Sequence, residues 1–372
     1  MQFTFSNLPG VGWELPAGGI VDLARACEDA GFDRFAVADL PHHYDCATIM
    51  TACLGATERL VVESLVANPY TRNPTLEAAT WATMADLSGG RVIFGIGAGV
   101  ESASQVWTAP WGTQRPHPVQ AVREGVEVSR RIWAGERLDY DGEIVKVASA
   151  ELWFPVRHDI PVLVAARGKR MLELAGEIAD IVHLASLFVN ADHYRESLEV
   201  VMAGAERAGR DGGFEIDMSV PVTISRDREE ARWAARVTAA QVMMWMAGTE
   251  TYSRKRRDWN RPAQFRVPEE VVQAIAENWN VWTDAELPRD LGEMITDEIL
   301  DDFAVAGEPK EVADRLIRLA EELPEITGFR VKLPRPAGES AQEDYARMIA
   351  LFDEVIGPVK QATGDRFALV AR

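Results

Sequence analysis

Residues 86–102 read DLSGGRVIFGIGAGVES, a helix end, a buried strand and a glycine loop in direct succession. Ser88, Gly89 and Gly90 stop a helical pattern, because paired glycines supply the left-handed conformations that a helix C-terminus needs. Val92, Ile93, Phe94 and Ile96 then form an apolar run. A strand covered on both faces shows this pattern, as in the parallel sheets of α/β proteins. Gly95, Gly97 and Gly99 follow at alternate positions toward the strand's carboxyl end. Three residues without side chains let a planar ring or a phosphate lie against the backbone, with N–H groups turned toward it. The same glycines also suit a tight turn after a core strand, and their spacing is not the GxGxxG of a dinucleotide fingerprint. On the glycines alone, both readings stand.

The pattern repeats on either side. Upstream, Phe3 and Phe5 alternate with polar neighbours, and residues 34–38 (RFAVA) and 60–67 (LVVESLVA) give two further strands. Helical spacing fills the gaps at 20–30, closed by Gly31, at 46–57, and from Pro74 to Leu87. Downstream, strands are expected at 160–166 (IPVLVAA), 181–184 (IVHL), 217–224 (DMSVPVTI) and 328–333 (GFRVKL). The intervening helices fall at 119–134, 171–178 and 192–208, and a last one at 342–356. Asp141-Gly142 is a hairpin turn and so an excursion from the alternation. The connection from Trp107 to Pro118 is too long for a simple turn, and such loops tend to be functional.

From Asp227 to about Phe303 the pattern is mostly helical and rich in Trp and Met, including Trp233, Met243, Trp245, Trp259, Trp279 and Trp282. It is interrupted by the basic run Arg254-Lys255-Arg256-Arg257. Such a stretch reads as core or dimer contact, or as a mobile lid. Eight strands with helices between them, and no break in composition that would serve as a linker, favour an α/β fold of the (β/α)8 TIM-barrel type over an open doubly wound sheet. The expectation is a single domain over 1–372, with insertions after strands 4 and 7 and the helical one at about 227–303.

With 58 acidic against 39 basic side chains, the formal net charge of −19 argues against a nucleic-acid partner, since phosphate binding rests on basic surface. Cys27, Cys46 and Cys53 form no CxxC pair, so neither a disulfide framework nor a zinc site is suggested, and a reducing cytoplasm fits. MQFTFSN at the start lacks the basic and apolar regions of a signal peptide, and no segment is apolar for long enough to span a bilayer. A soluble, cytoplasmic protein is expected.

Five collinear segments go further: ATERLVVESLVANPYTRNP (56–74), LSGGRVIFGIGAG (87–99), VREGVEVSRRIWAGERLDYDG (122–142), IPVLVAARGKRMLELAGEIAD (160–180) and AVAGEPKEVADRL (304–316). Together they resemble the luciferase-like monooxygenase superfamily of flavin- and deazaflavin-dependent barrels, in particular its coenzyme F420-dependent, methylenetetrahydromethanopterin reductase-like branch. The resemblance implies that Gly97, Ala98 and Gly99 hold the cofactor's phosphate together with Ala166, Arg167 and Gly168. It implies a non-proline cis peptide at Leu65–Val66 beneath the ring, Asp39 at the ring edge, and Asn68, in the loop after strand three, among the cofactor contacts. Relatives acting on a sugar phosphate carry a His after that acid and a Glu after the glycine loop. Leu40 and Val100 stand there instead, so that activity is not expected.

The function so implied is hydride transfer between coenzyme F420 and a small organic substrate, by a homodimer. FMN-dependent monooxygenation is the alternative, and a catalytically silent flavin-binding subunit a second one. Hydride transfer needs orientation and a dry ring face more than acid or base groups, so few catalytic residues are expected. His42, His43 and Glu101 are the candidate proton donors to substrate; the histidines otherwise sit in a solvated loop, and Glu101 otherwise caps the following segment. With Asp45, the histidines could also be read as metal ligands, but adjacent histidines point apart and no further ligand is spaced with them, so no metal is expected. Arg167, Lys169 and Arg170 open a helix whose dipole favours an anion. They reach a phosphate or the deazaflavin's oligoglutamate tail, or form a solvated basic helix start.

Overall fold

Each of the eight apolar runs read from the sequence becomes one stave of a closed parallel barrel. The computed structural model describes residues 1–6, 15–40, 43–99, 116–186, 188–248, 267–280, 284, 286–334 and 341–364. In chain order the first elements are β1 (Gln2–Ser6), α1 (Ala17–Asp29), β2 (Arg34–Val37), α2 (Cys46–Ala56), β3 (Val61–Ser64), α3 (Pro74–Ser88) and β4 (Val92–Ile96). The chain continues through α4 (Pro118–Trp133), the hairpin β5 (Leu138–Asp141) and β6 (Lys146–Ala150), then β7 (Val162–Ala166), α5 (Lys169–Ile178), β8 (Ile181–Leu184), α6 (Ala191–Arg207) and β9 (Glu215–Ile224). Helices α7 (Arg228–Gly248), α8 (Glu269–Asn278), α9 (Arg289–Met294) and α10 (Asp297–Leu300) follow. The last elements are β10 (Val305–Gly307), α11 (Pro309–Glu322), β11 (Gly328–Lys332), α12 (Ala341–Ala350) and α13 (Asp353–Thr363).

Parallel ladders run β1–β2–β3–β4–β7–β8–β9–β11 and return from β11 to β1. β9 has two jobs. Its first part pairs with β8 and β11, and its last three residues instead carry β10, with Val222 opposite Val305. The β5–β6 excursion is antiparallel, and the Glu124 carboxylate accepts the N–H groups of Glu143, Ile144 and Val145 in its turn.

Local chemistry sets the helix ends. Asn73 caps α3 by accepting from Thr75 and Leu76, with Pro74 at the first helical position, and Gly89 ends it in the left-handed conformation at φ 68°. The sequence reading placed no element at 304–327, where the structure has β10 and α11. The signal was present: Glu308 and Glu311 form a reciprocal capping box around Pro309. The single helix expected at 342–356 is two, α12 and α13.

Inside the barrel the two sides differ. Ile93, Leu163 and Ile181 pack with Val61, Leu65, Val66 and Ala165 on the side of β3, β4, β7 and β8. Toward β1, β9 and β11 the interior is polar, with Thr4, Ser6, Asp217, Ser219, Arg330 and Lys332 all buried. Arg330 is the centre of this side: its guanidinium meets the carboxylates of Glu63 and, at 2.6 Å, Asp217. His183 Nδ1 lies 2.5 Å from Asp217 Oδ1 and so donates to it, while Nε2 faces Ser219 Oγ at 3.3 Å. Below, Arg34 pairs with Glu215 at 2.5 Å. A second core cluster, including Met243, Ile275, Trp279, Leu300 and Phe303, lies among α7 to α10, so these members of the Trp- and Met-rich stretch are core. Arg254–Arg257, Trp259 and Trp282 lie outside the described residues.

Candidate functional site

The carboxyl ends of β3 and β4 build one wall of the barrel mouth. Their ladder stops at Glu63 opposite Ile93, and the next peptide but one, Leu65–Val66, is cis. Ser64 fills the interrupted ladder: its Oγ accepts from Gly95 N at 3.0 Å and donates to Gly95 O at 2.8 Å. Pairing resumes beyond the bulge, where Ala67 N–H donates to Gly95 O and Gly97 N–H to Ala67 O. The glycines answer to this geometry. A Cβ at Gly95 would lie 1.9 Å from Ser64 O, and one at Gly97 would lie 2.8 Å from Val66 Cγ2. What Gly97 accommodates first is therefore the bulge rather than a ligand, which refines the reading from sequence. Gly99 has φ 69°, in the left-handed region that glycine favours.

The second wall comes from β7, the neighbour of β4, with Ile96 opposite Val164. Continued, this register sets Gly97–Gly99 beside Ala165, Ala166 and Arg167, with Gly168 one residue further on. Ala166 is buried, Arg167 is half-buried with its Nε donating to Ala185 O at 2.8 Å, and Gly168, Lys169 and Arg170 are exposed. Gly168 caps α5 in an extended conformation without a side-chain cap, and a Cβ there would meet nothing within 4 Å. The first N–H groups of a helix have no acceptor within it, and its dipole favours negative charge, so this end presents donors and a positive field beside the glycine loop.

A third group gathers after β2 and β3. Burial holds the Asp39 carboxyl above its usual range against the pull of Arg72, whose Nε is 3.9 Å away, and Asp39 Oδ2 has no hydrogen-bond partner. Arg72 also pairs with Asp45 at 2.6 Å, and Asp45 in turn caps α2 through Thr48. Glu77, in α3, is buried behind them; burial and then Asp39 push its pKa up to about 8. Asn68 is buried and its Oδ1 accepts from Tyr70 N at 3.1 Å. His43 N–H donates to Leu40 O at 3.0 Å, and its ring stands edge-on to Tyr44. His42 and Glu101 lie outside the described residues.

The described candidates thus fall at the carboxyl ends of β2, β3, β4 and β7. Sequence reasoning missed Glu77 and the whole interior set of Ser6, Glu63, His183, Asp217, Arg330 and Lys332. Most of these carried a signal, an ionisable residue inside a run that otherwise reads as a buried strand, as in LVVES, IVHL and GFRVKL.

A closed parallel barrel whose chemistry collects at the carboxyl ends of its strands defines a (β/α)8 protein of the enzyme type. The luciferase-like monooxygenase family matches residues 1–324, and the chain belongs to that family. It is 28% identical over 347 residues to a 5,10-methylenetetrahydromethanopterin reductase of Methanolobus tindarius, covering 92% of this chain and 97% of the relative. It is 30% identical over 302 residues to the enzyme of the same name from Archaeoglobus fulgidus, covering 80% and 84%. Among solved structures, the coenzyme F420-dependent tetrahydromethanopterin reductase of Methanopyrus kandleri superposes with a TM-score of 0.73 at 24% identity, covering 96% of this chain and 98% of that one.

Proposed function

We propose that the protein is an oxidoreductase that transfers a hydride between coenzyme F420 and a small organic substrate, with Gly97, Ala98, Gly99, Ala166, Arg167 and Gly168 around the cofactor's phosphate. The observation that carries this reading is the pairing of the Gly97–Gly99 loop, left-handed at Gly99, with the open, uncapped helix start at Gly168, after the adjacent strands β4 and β7 at one end of the barrel. At Gly168 no atom of the described residues lies within 4 Å of where a Cβ would stand, which supports room for a ligand at this helix start. When bound, the deazaflavin supplies the hydride chemistry. The chain's part is to hold it: the bulge offers the ring an apolar floor, Asp39 and Asn68 stand at its edge, and Lys169 and Arg170 flank the path of an anionic tail. His42, His43 and Glu101 are the proposed proton donors to substrate.

The reading extends to a single domain over the whole chain, with 227–303 as an insertion, and to a homodimer; a monomer in sedimentation at micromolar concentration would refute the latter. Three buried thiols without a disulfide support a reducing compartment such as the cytoplasm, and among the described residues no helix is long and apolar enough to cross a membrane. The family's description names a monooxygenase, which favours a second reading, monooxygenation with FMN as the cofactor. Titrating the purified protein with each cofactor separately decides between them. Tighter binding of F420 is expected, and binding of FMN alone would transfer the assignment to the second reading.

A further inference from the structure

Lys332, the last residue of β11, is a buried ammonium without a carboxylate of its own. Strand alternation sends it to the same side as Arg330, into the barrel and one layer nearer the mouth. It is 8% exposed, and among the described residues it makes no hydrogen bond or ion pair. The buried carboxylates of the interior already have cations, Glu215 that of Arg34, although Glu63 keeps one oxygen, Oε2, without a hydrogen-bond partner. Asp217 is held by Arg330 and His183, and Glu63 by Arg330. The neighbouring charges are of the wrong sign: burial, then Arg167 and Arg330, push the Lys332 pKa down to about 7 against the pull of Asp217. The register of β1 on β11, Phe5 opposite Val331, sets Ser6 beside Lys332, and the Ser6 Oγ is buried without a hydrogen-bond partner. A buried hydroxyl without a partner and, beside it in register, a buried ammonium without a counter-charge are costly to a fold, and such groups mark candidates for a functional site.

Resting on the functional reading above, we propose that Lys332 and Ser6 form the floor of an oxyanion subsite that takes a carboxylate or phosphate group of the substrate. The position separates this anion from the cofactor's. In the order β1–β2–β3–β4–β7–β8–β9–β11, β11 lies four staves from β4 in either direction, so Lys332 faces the glycine loop across the full width of the mouth. A cofactor whose phosphate lies at Gly97–Gly99 and Gly168 leaves this far, polar side to the molecule that reacts with it. The ammonium supplies the charge and the Ser6 hydroxyl a directed donor. Arg167, anchored on Ala185 O between the two sites, adds a positive field without needing to move.

The test uses the protein loaded with F420, so that the phosphate cradle is filled. Inorganic phosphate and acetate are titrated separately at constant ionic strength, with chloride as the control, and binding is followed by the cofactor's fluorescence and by calorimetry. Wild type should bind at least one of the two above the chloride background, and the tighter one identifies the group the site takes. Lys332→Met should weaken that anion at least tenfold, leave the F420 dissociation constant within twofold, and unfold at a temperature no lower than wild type. Ser6→Ala should weaken the anion at least threefold and keeps the test decisive if Lys332→Met does not fold. Anion affinity unchanged in both variants, no anion binding by wild type, or F420 affinity lost in parallel with anion affinity would each overturn the subsite. If wild type does not bind F420, the functional reading fails by itself, and the same titration on the FMN-loaded protein still decides the role of Lys332.

Discussion

Glu77→Gln should make the protein more stable, and only above the acid range. The side chain is 4% exposed, its Oε1 has no hydrogen-bond partner, and burial followed by the neighbouring Asp39 raises its pKa from 4.5 to about 8. At pH 7 the folded protein therefore holds Glu77 protonated while the unfolded chain releases the proton. Because the folded pKa lies above the unfolded one, this residue's contribution falls as pH rises from about 4.5 to about 8 and is constant outside that window. One unit is worth about 1.4 kcal/mol, so the ~2.5 units between 4.5 and pH 7 amount to roughly 3 kcal/mol, and relaxation around the site reduces this to about 1–3. Glutamine has the shape of the protonated acid and no charge to release. Urea unfolding followed by circular dichroism at pH 4.5 and pH 7 measures the difference. The variant should match wild type at pH 4.5 and exceed it by about 1–3 kcal/mol at pH 7. Destabilisation at pH 7, or an equal gain at both values, would show that Glu77 is ionised in the fold and that its burial has been misread.

Three more outcomes follow from the site and the interior. Gly168→Ala fills only open space in an extended conformation, so unfolding midpoints should stay within about 0.5 kcal/mol of wild type while F420 affinity falls severalfold in a fluorescence titration; unchanged affinity removes Gly168 from the cradle. This variant is cleaner than Gly97→Val, whose side chain would strike Val66 before any ligand. Replacing Lys169 and Arg170 together by Ala should weaken F420 more at low than at high salt, because screening shrinks the interaction removed, and should leave FMN binding nearly unchanged; equal losses would assign both cations to the shared phosphate. Arg330→Met leaves Glu63 and Asp217 buried without their cation and should cost about 3–5 kcal/mol, seen as a lost or much lowered unfolding transition; a near-neutral effect would contradict the central place given to the guanidinium.

Local rules made most of the barrel legible. Gly89, Asn73 and Pro74 announce their helix ends by chemistry that acts within four residues, and a strand buried on both faces shows itself in composition alone. The same logic failed at 304–327, where Val305–Gly307 is too short to display a period and takes its pairing from the far end of β9. At the site, glycine spacing and resemblance led to the two loops proposed to hold the cofactor's phosphate. The reason for Gly95 and Gly97 lay elsewhere, in a serine carbonyl and a valine methyl contributed from β3. Ser6 and Glu77 were not legible, and Lys332 was legible only as a charge in a buried run, because their meaning depends on what the fold sets beside them. Nothing in the sequence says that a lysine in GFRVKL faces Arg167 rather than water.

The contact between Glu63 and Arg330 joins residues 267 apart in the chain, and that between Asp217 and Arg330 spans 113. During synthesis the two carboxylates are made long before the guanidinium that neutralises them, so the first seven staves cannot settle around a dry centre by themselves. They wait for the eighth. Until β11 arrives the two carboxylates lack the guanidinium that neutralises them, and its arrival also brings Lys332 beside Ser6 and completes the mouth. Chains truncated before residue 330 would thus keep both carboxylates without their guanidinium, and only Asp217 would have another partner, His183. The ionic centre acts as a checkpoint on completeness, tying the appearance of the polar half of the mouth to the arrival of the last strand.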